Sequence, residues 1–231
     1  MIIIAIPKSA STSLMLTLSK YHKIEAEQDF DFAENDIPEG CKVLHRLHSD
    51  IRELTGNDLA RLSDTSKINK QHIYPSSNNI QFFVDIKKVV LLRSPDEIVL
   101  AYRRGAMKEV HSLVPGYNTN MSEEEWLRKS EADGLYSDLT FFYTEWKKRA
   151  NPENTLFIDY QDYVSSPQIV INNIEHFYGL SSTKKKIKTL KSRYSRRGPL
   201  SDILFKAKAK IKASVKRLLV VLGIKKEPNN K

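Results

Sequence analysis

The 231-residue chain has one cysteine, Cys41, so no intrachain disulfide can form, and that fits a reducing compartment. It has only eight glycines and nine prolines, and 40% of its residues are hydrophobic. Such a composition excludes disorder over most of the length and suits one substantial domain with an appendage. No apolar run approaches the ~20 residues needed to span a bilayer. A strand expected from residue 2 leaves no room for a signal peptide, so a soluble cytoplasmic protein is the expectation. There is no internal repeat. There is also no G-x-x-x-x-G-K-[ST] loop and no His/Cys cluster at metal-ligand spacing, so no metal is expected. A nucleotide-dependent phosphotransferase would need that loop and a Mg²⁺-binding acid after a strand, which Asp159 alone could mimic.

Acids are scarce at one end. Residues 184–231 hold 17 lysines and arginines against two acids, Asp202 and Glu227, a net of +15. The remaining 183 residues hold 20 bases and 26 acids, so the overall charge of +9 is a C-terminal property. Such asymmetry marks an anionic partner for the tail. Leu204, Ile211, Val215, Leu218 and Leu222 form an apolar stripe at helical spacing, with Lys206, Lys208, Lys210, Lys212, Lys216 and Arg217 filling much of the rest. Two readings stay open. One is a terminal helix packed on the domain with a solvated basic face. The other is an amphipathic helix, peripheral to an anionic membrane surface or holding an anionic polysaccharide. Nucleic acid fits poorly, since aromatics do not interleave with the bases. The expected division is an α/β domain over 1–200 and a basic amphipathic helix and tail over 201–231.

What is present is concentrated at the N-terminus. Residues 2–6 are an uninterrupted apolar run, mostly β-branched, as in a strand buried on both faces. Pro7, Lys8, Ser9, Ala10, Ser11, Thr12 and Ser13 follow, and an apolar-periodic segment begins at Leu14. Ser11, Thr12 and Ser13 are expected to cap that helix, where free N–H groups and the helix dipole favour an anion. Lys8 adds a full positive charge. Strand, cationic hydroxyl-rich turn and helix together make a seat for phosphate or sulfate.

Residues 88–104 repeat the logic. A buried strand ends in Arg93, and a helix capped by Ser94 with Pro95 in its first turn starts at once. Arg93 then projects at the strand's carboxyl end, where a guanidinium grips phosphate bidentately. Two such seats point to a ligand with two separate anionic groups.

Strands are expected at 2–6, 42–45, 88–92 and 155–159, separated by helical patterns. Helices are expected at 13–21, at 57–63 with Asn57 or Asp58 as cap, and at 95–107. A long one, opened by a capping box at Ser122 and Glu125, is expected to run to about residue 149. Further helices are expected from Pro167 to a C-cap at Gly179, over the basic stretch 183–193, and over 200–222. Residues 28–40 read as loop, and 66–79 give no clear pattern. The architecture implied is a three-layer α/β sandwich, a central mostly parallel sheet flanked by helices, with ligands at the carboxyl ends of the strands.

At this point the chain resembles the PAPS-dependent sulfotransferases (PAPS is 3′-phosphoadenosine 5′-phosphosulfate). Residues 7–14, Pro-Lys-Ser-Ala-Ser-Thr-Ser-Leu, are similar to that family's P-K-x-G-T-T-S-L loop, which holds the 5′-phosphosulfate. Residues 91–97 resemble its R-[DN]-P-x-[DE] segment, which binds the 3′-phosphate. Residues 156–163, Pro167 and residues 176–180 resemble its Y-E-D-L…P…F-L-G-L block, which implies that Tyr160 lies near the nucleotide. The blocks run in the right order from residue 1 to 180. Ala10 replaces the usual glycine, so the loop must tolerate a Cβ. Ala101 stands where the family carries a serine to the 3′-phosphate. A bond to a charged group is typically worth roughly 1.5–3 kcal/mol, so Arg93 needs help. Arg103, Arg104, or Arg196, Arg197 and Gly198 (similar to a late R-K-G element) are the candidates. Gln161 replaces a glutamate and reads as structural.

The resemblance implies in-line sulfuryl transfer from PAPS to an acceptor hydroxyl or amine, a small molecule or glycan. The polar loops 28–40, 66–79 and 114–121 lean towards a carbohydrate or glycolipid. By analogy with phosphoryl transfer, Lys8 would stabilise the leaving phosphate, and the Ser11, Thr12 and Ser13 hydroxyls and amides would hold it. A base must take the acceptor's proton, and many family members carry a histidine in a K-x-H context after the second strand. His48 is favoured, with His45 second and Asp50 behind both, because a strand over 42–45 continuing to Leu47 puts His48 at its carboxyl end. The other reading of both histidines is that they lie on the surface. His22, His72, His111 and His176 read as structural. The alternative to an enzyme is a non-catalytic anion- or membrane-binding module on a decayed fold.

Overall fold

The computed structural model describes residues 1–27, 36–108, 113–183 and 186–187. Its centre is the first apolar run. Residues Ile2, Ile3, Ile4 and Ala5 are all buried and form β1 (Ile2–Ala5), the middle strand of a five-stranded sheet. On one side lie β3 (Lys67–Gln71) and then β2 (Glu25–Glu27). On the other lie β4 (Lys88–Leu92) and then β5 (Thr155–Asp159). Every pairing is parallel, with Ile4 opposite Gln71 on one side and Val90 on the other.

Successive strand residues face opposite sides of a sheet, and the packing follows that rule. Ile2, Ile4, Val90 and Leu92 join a core with Trp126, Leu139, Phe142 and Trp146, from α6 (Glu123–Asp133) and α7 (Leu135–Arg149). Helix α5 (Pro95–Met107) packs with both of them. Helices α1 (Ser11–His22) and α9 (Pro167–Tyr178) contact other strands of the sheet with Leu14, Met15, Leu18, Ile171 and Ile174 buried. The result is the expected α/β sheet flanked by helices.

Several local expectations change. Residues 42–45 are not a strand. They lead into a single helical turn, α2 (Leu44–Leu47), because buried Asp138 on α7 accepts the backbone N–H groups of Lys42, Val43 and Leu44 at 2.6–3.0 Å. The carboxylate caps the turn from another part of the chain. Two strands, β2 and β3, were not anticipated. β3 carries one isoleucine among polar residues; Asn69 Nδ2 donates to Leu62 O at 3.0 Å and Lys67 Nζ to Glu27 Oε2 at 2.9 Å, while the Gln71 amide and Asn69 Oδ1 are buried without a hydrogen-bond partner.

The helix at 57–63 is α3 (Gly56–Leu62), capped by Thr55 in a capping box with Asp58. Residues 66–79, counted among the loops, hold β3 and the start of α4 (Ser77–Phe82). The long helix of 122–149 is two, broken at Gly134, whose φ of 91° is left-handed. A short helix, α8 (Tyr160–Ser165), follows β5 directly. Helix α5 with its Ser94 cap and α9 with Gly179 at its end are as expected. Arg196, Arg197, Gly198, His111, most of the basic stretch 183–193, the 200–222 helix, the 201–231 tail and part of the 28–40 loop lie outside the described residues.

Candidate active site

The turn after β1 is held in an unusual shape. Lys8 and Ala10 both have left-handed backbones, with φ of 62° and 65°, and buried Ser9 donates its hydroxyl to Ile6 O at 2.6 Å. Ala10 is therefore the N-cap of α1, and it has no side-chain hydrogen bond to offer. Ser11, Thr12 and Ser13 do not cap the helix; they form its first turn. No acid stands in that turn either. The helix N-terminus thus keeps its amides and its dipole uncompensated by side chains, the condition for binding an anion there. Consecutive left-handed and helical residues also make a concave nest of N–H groups. Burial brings the Lys8 ammonium down to about 8, and its Nζ sits 5.0 Å from the Tyr102 ring centroid.

Arg93 follows β4, beside this turn, and is 8% exposed. Its Nη1 donates to Lys8 O at 2.8 Å, and its guanidinium lies 3.8 Å over the ring of Tyr160, the first residue of α8. Its Nε is buried and has no hydrogen-bond partner. Burial, then the neighbouring Arg104, disfavours its charge, against Tyr160 and Glu97. Glu97 is itself bonded by Gln161 Nε2. Of the arginines expected to assist, Arg103 is committed to Met121 O at 3.0 Å and to Glu123. Arg104 is close enough for its charge to act on Arg93. Ala101 is half-buried on α5, next to Tyr102.

The histidines rearrange the sequence reading. His48 follows α2, so the strand end that favoured it does not exist at that place. A strand that does end beside β1 is β3, whose last residues, Lys70 and Gln71, are followed directly by His72. That is a K-x-H context at a carboxyl strand end, missed because β3 was missed. His48 is nevertheless in the site: its Nε2 is 2.5 Å from the Tyr102 hydroxyl, and its ring meets that of His72 at 5.0 Å between centroids. His72 Nδ1 lies 2.9 and 3.1 Å from the two oxygens of Asp50. His45 makes no such contacts; its Nδ1 is buried without a partner.

The charges of this cluster act on one another. Burial lowers His48 well below its ordinary value, helped by His72, Lys8 and Lys70 against Asp50. Burial lowers His72 as well, with Asp50 opposing. Burial pushes the Asp50 carboxyl up, but His72, Lys70 and His48 more than reverse this and hold it well below the carboxylate range. Burial and the Asp50 charge push the Tyr102 phenol up, so it stays protonated. His48, Asp50 and His72 have ligand atoms within 4.8 Å of one another, the composition of a metal site. The Lys8 and Lys70 ammonium groups act on the same cluster, disfavouring the charged form of His48.

Lys8, Ser9, Ala10, Ser11, Thr12, Ser13, Arg93 and Tyr160 therefore gather around one helix N-terminus, while Tyr102 links that turn to the histidines. Tyr102 gave no signal beyond being on the right helix. A sulfotransferase-domain family profile matches residues 1–203. A sulfotransferase from Alicyclobacillus acidocaldarius is similar in fold at 16% identity, with a TM-score of 0.54 over 96% of this chain and 94% of that one. The mouse sulfotransferase SULT7A1, solved in complex with PAP, is similar at 12% identity and a TM-score of 0.53, over 90% and 81%. No curated protein sequence matches the chain. The chain belongs to the sulfotransferase family. Among the described residues, no helix is long and apolar enough to cross a membrane.

Proposed function

We propose that the protein transfers the sulfuryl group of PAPS to a hydroxyl or amine acceptor. The observation that carries this is a pair of open cation-side groups: an α1 N-terminus with no side-chain cap, and beside it a buried Arg93 Nε with no hydrogen-bond partner, the Glu97 carboxylate standing 3.8 Å off. Both are costly unless an anion completes them. A donor with phosphate at one end and phosphosulfate at the other supplies the two anions the two seats call for, and a similar fold has been solved with PAP.

In the reaction the acceptor oxygen attacks sulfur in line, and the bond from sulfur to the 5′-phosphate oxygen breaks. Lys8 and the first-turn amides of α1 stabilise the charge that builds on the departing phosphate. Arg93 fixes the Lys8 carbonyl and offers its Nε–H to the second anion. The acceptor's proton passes to a histidine. His72 is the better placed, being at the strand end, and His48 stands beside it. No step here calls for a metal. The acceptor is a small molecule or glycan met by the loops around the carboxyl ends of the strands. The basic 201–231 segment is read as a tail for an anionic surface, membrane or polysaccharide, and the lone buried cysteine fits a cytoplasmic setting.

Calorimetric titration with 3′-phosphoadenosine 5′-phosphate (PAP, the desulfated product) tests the reading. The wild type is expected to bind saturably, with Lys8→Ala and Arg93→Ala weaker by about tenfold or more, the worth of one charge-assisted contact. A folded wild type that binds no PAP would turn the assignment towards the decayed, non-catalytic module. Binding would open a screen of acceptors with labelled PAPS.

A further inference from the structure

His72 and His48 touch, yet their ring nitrogens are used in opposite ways. His72 faces the two oxygens of Asp50 with Nδ1, and Asp50 also accepts the His72 backbone N–H at 3.2 Å. An ionised carboxylate can only accept, so Nδ1 carries the proton and Nε2 keeps the lone pair. His48 meets the Tyr102 hydroxyl with Nε2. A protonated phenol can donate to that nitrogen or accept from it, and in either case His48 Nε2 is engaged with Tyr102.

We propose that Asp50 is a positioning residue for proton transfer, holding His72 as the Nδ1–H tautomer so that Nε2 is the atom that receives the acceptor's proton. The assignment rests on the sulfotransfer reading and extends it to a residue outside the donor loop. Asp50 is not itself the base: its carboxyl is held so far below its ordinary range that it is a poor proton acceptor. It acts through the imidazole. Burial, with Lys70 on β3 and Lys8 from the donor turn, pushes a proton off His72, while Asp50 holds one on. A carboxylate on the far nitrogen of a histidine fixes both its tautomer and its orientation and stabilises the imidazolium that forms. When the acceptor is deprotonated, its oxygen bonds to sulfur and its proton goes to Nε2, leaving His72 cationic against the Asp50 carboxylate.

The test uses the full chain labelled with ¹⁵N in its histidines, with long-range proton–nitrogen correlation spectra and His72→Gln to assign the signal. In the wild type at pH 8 the neutral His72 ring is expected as the Nδ1–H tautomer. In Asp50→Ala the ring is expected to move towards Nε2–H. In Asp50→Asn, which keeps an oxygen for the backbone N–H, the titration midpoint of His72 is expected to fall by about one pH unit or more, since an attractive charge is lost. An unchanged midpoint in a folded Asp50→Asn protein, or an unchanged tautomer in folded Asp50→Ala, would overturn the assignment. PAP titration of the same samples separates the two readings. Equal affinity in wild type and Asp50→Asn is expected. A variant that loses PAP binding would mean that Asp50 shapes the donor turn, which also overturns the positioning role. A wild type that binds no PAP would remove the sulfotransfer reading and leave the tautomer result to stand as a structural one.

Discussion

Lys8 and Ala10 adopt a backbone conformation that costs an L-residue roughly 1–2 kcal/mol, and the surroundings hold them there. For Lys8 the brace is Arg93, which bonds its carbonyl. Arg93 thus clamps the turn, and in the proposed function it adds a charge to the donor seat. Lys8 has a second consequence. Burial depresses the ammonium to about 8, whereas a bound phosphate would favour its charged form and raise it again. The complex therefore holds more protons than the free protein above pH 8, and binding takes a proton up. Affinity for PAP is expected to be highest below pH 8 and to fall by up to about tenfold per pH unit above it. Titrations at pH 7, 8 and 9 check this. An affinity flat across that range, or a slope that persists in Lys8→Ala, would contradict it.

At the level of elements, one helix determines the shape of another segment far away in sequence. Asp138, 1% exposed on α7, takes three successive backbone N–H groups from Lys42, Val43 and Leu44, and its Oδ2 lies 3.7 Å from Cys41 Sγ. Burial, with Asp138 beside it, pushes the Cys41 thiol up to about 12, so this cysteine is an inert packing group. Gly134, with its left-handed backbone, separates α6 from α7, and Asp138 stands in the first turn of α7. Asp138→Ala leaves those amides without an acceptor and is expected to cost about 3 kcal/mol, read as a lower midpoint in urea unfolding. Because α2 leads directly to His48, the same change is expected to loosen the histidine cluster while leaving the donor turn intact. A midpoint within error of wild type would show that water replaces the carboxylate at no cost.

For the molecule as a whole, the charge is divided. The bulk of the chain is mildly acidic and residues 184–231 carry +15. Adsorption of the full chain to vesicles containing anionic lipid is expected to fall steeply between 50 and 300 mM salt, as screening by counterions requires. Adsorption that ignores salt would exclude an electrostatic tail. The same division of scales explains what could be read in advance. The donor turn, β1, β4, β5, α5 and α9 were legible because each is local: an apolar run, a cap and a breaker lie within a few residues of one another. The closeness of Lys8 and Arg93 followed from them, since a parallel strand delivers its next residue to the same edge of the sheet. The histidine cluster was not legible. β3 is a polar strand made stable by the neighbours it pairs with, residues 42–45 are bent by a carboxylate almost a hundred positions away, and Tyr102 gains its meaning only from what faces it. The sequence alone determined the family and the strands β1, β4 and β5, because short-range pattern and steric preference suffice for those. Tertiary structure decided which histidine stands at a strand end, which carboxylate holds it, and which helix terminus is left uncapped, because each depends on groups brought together only when the sheet closes.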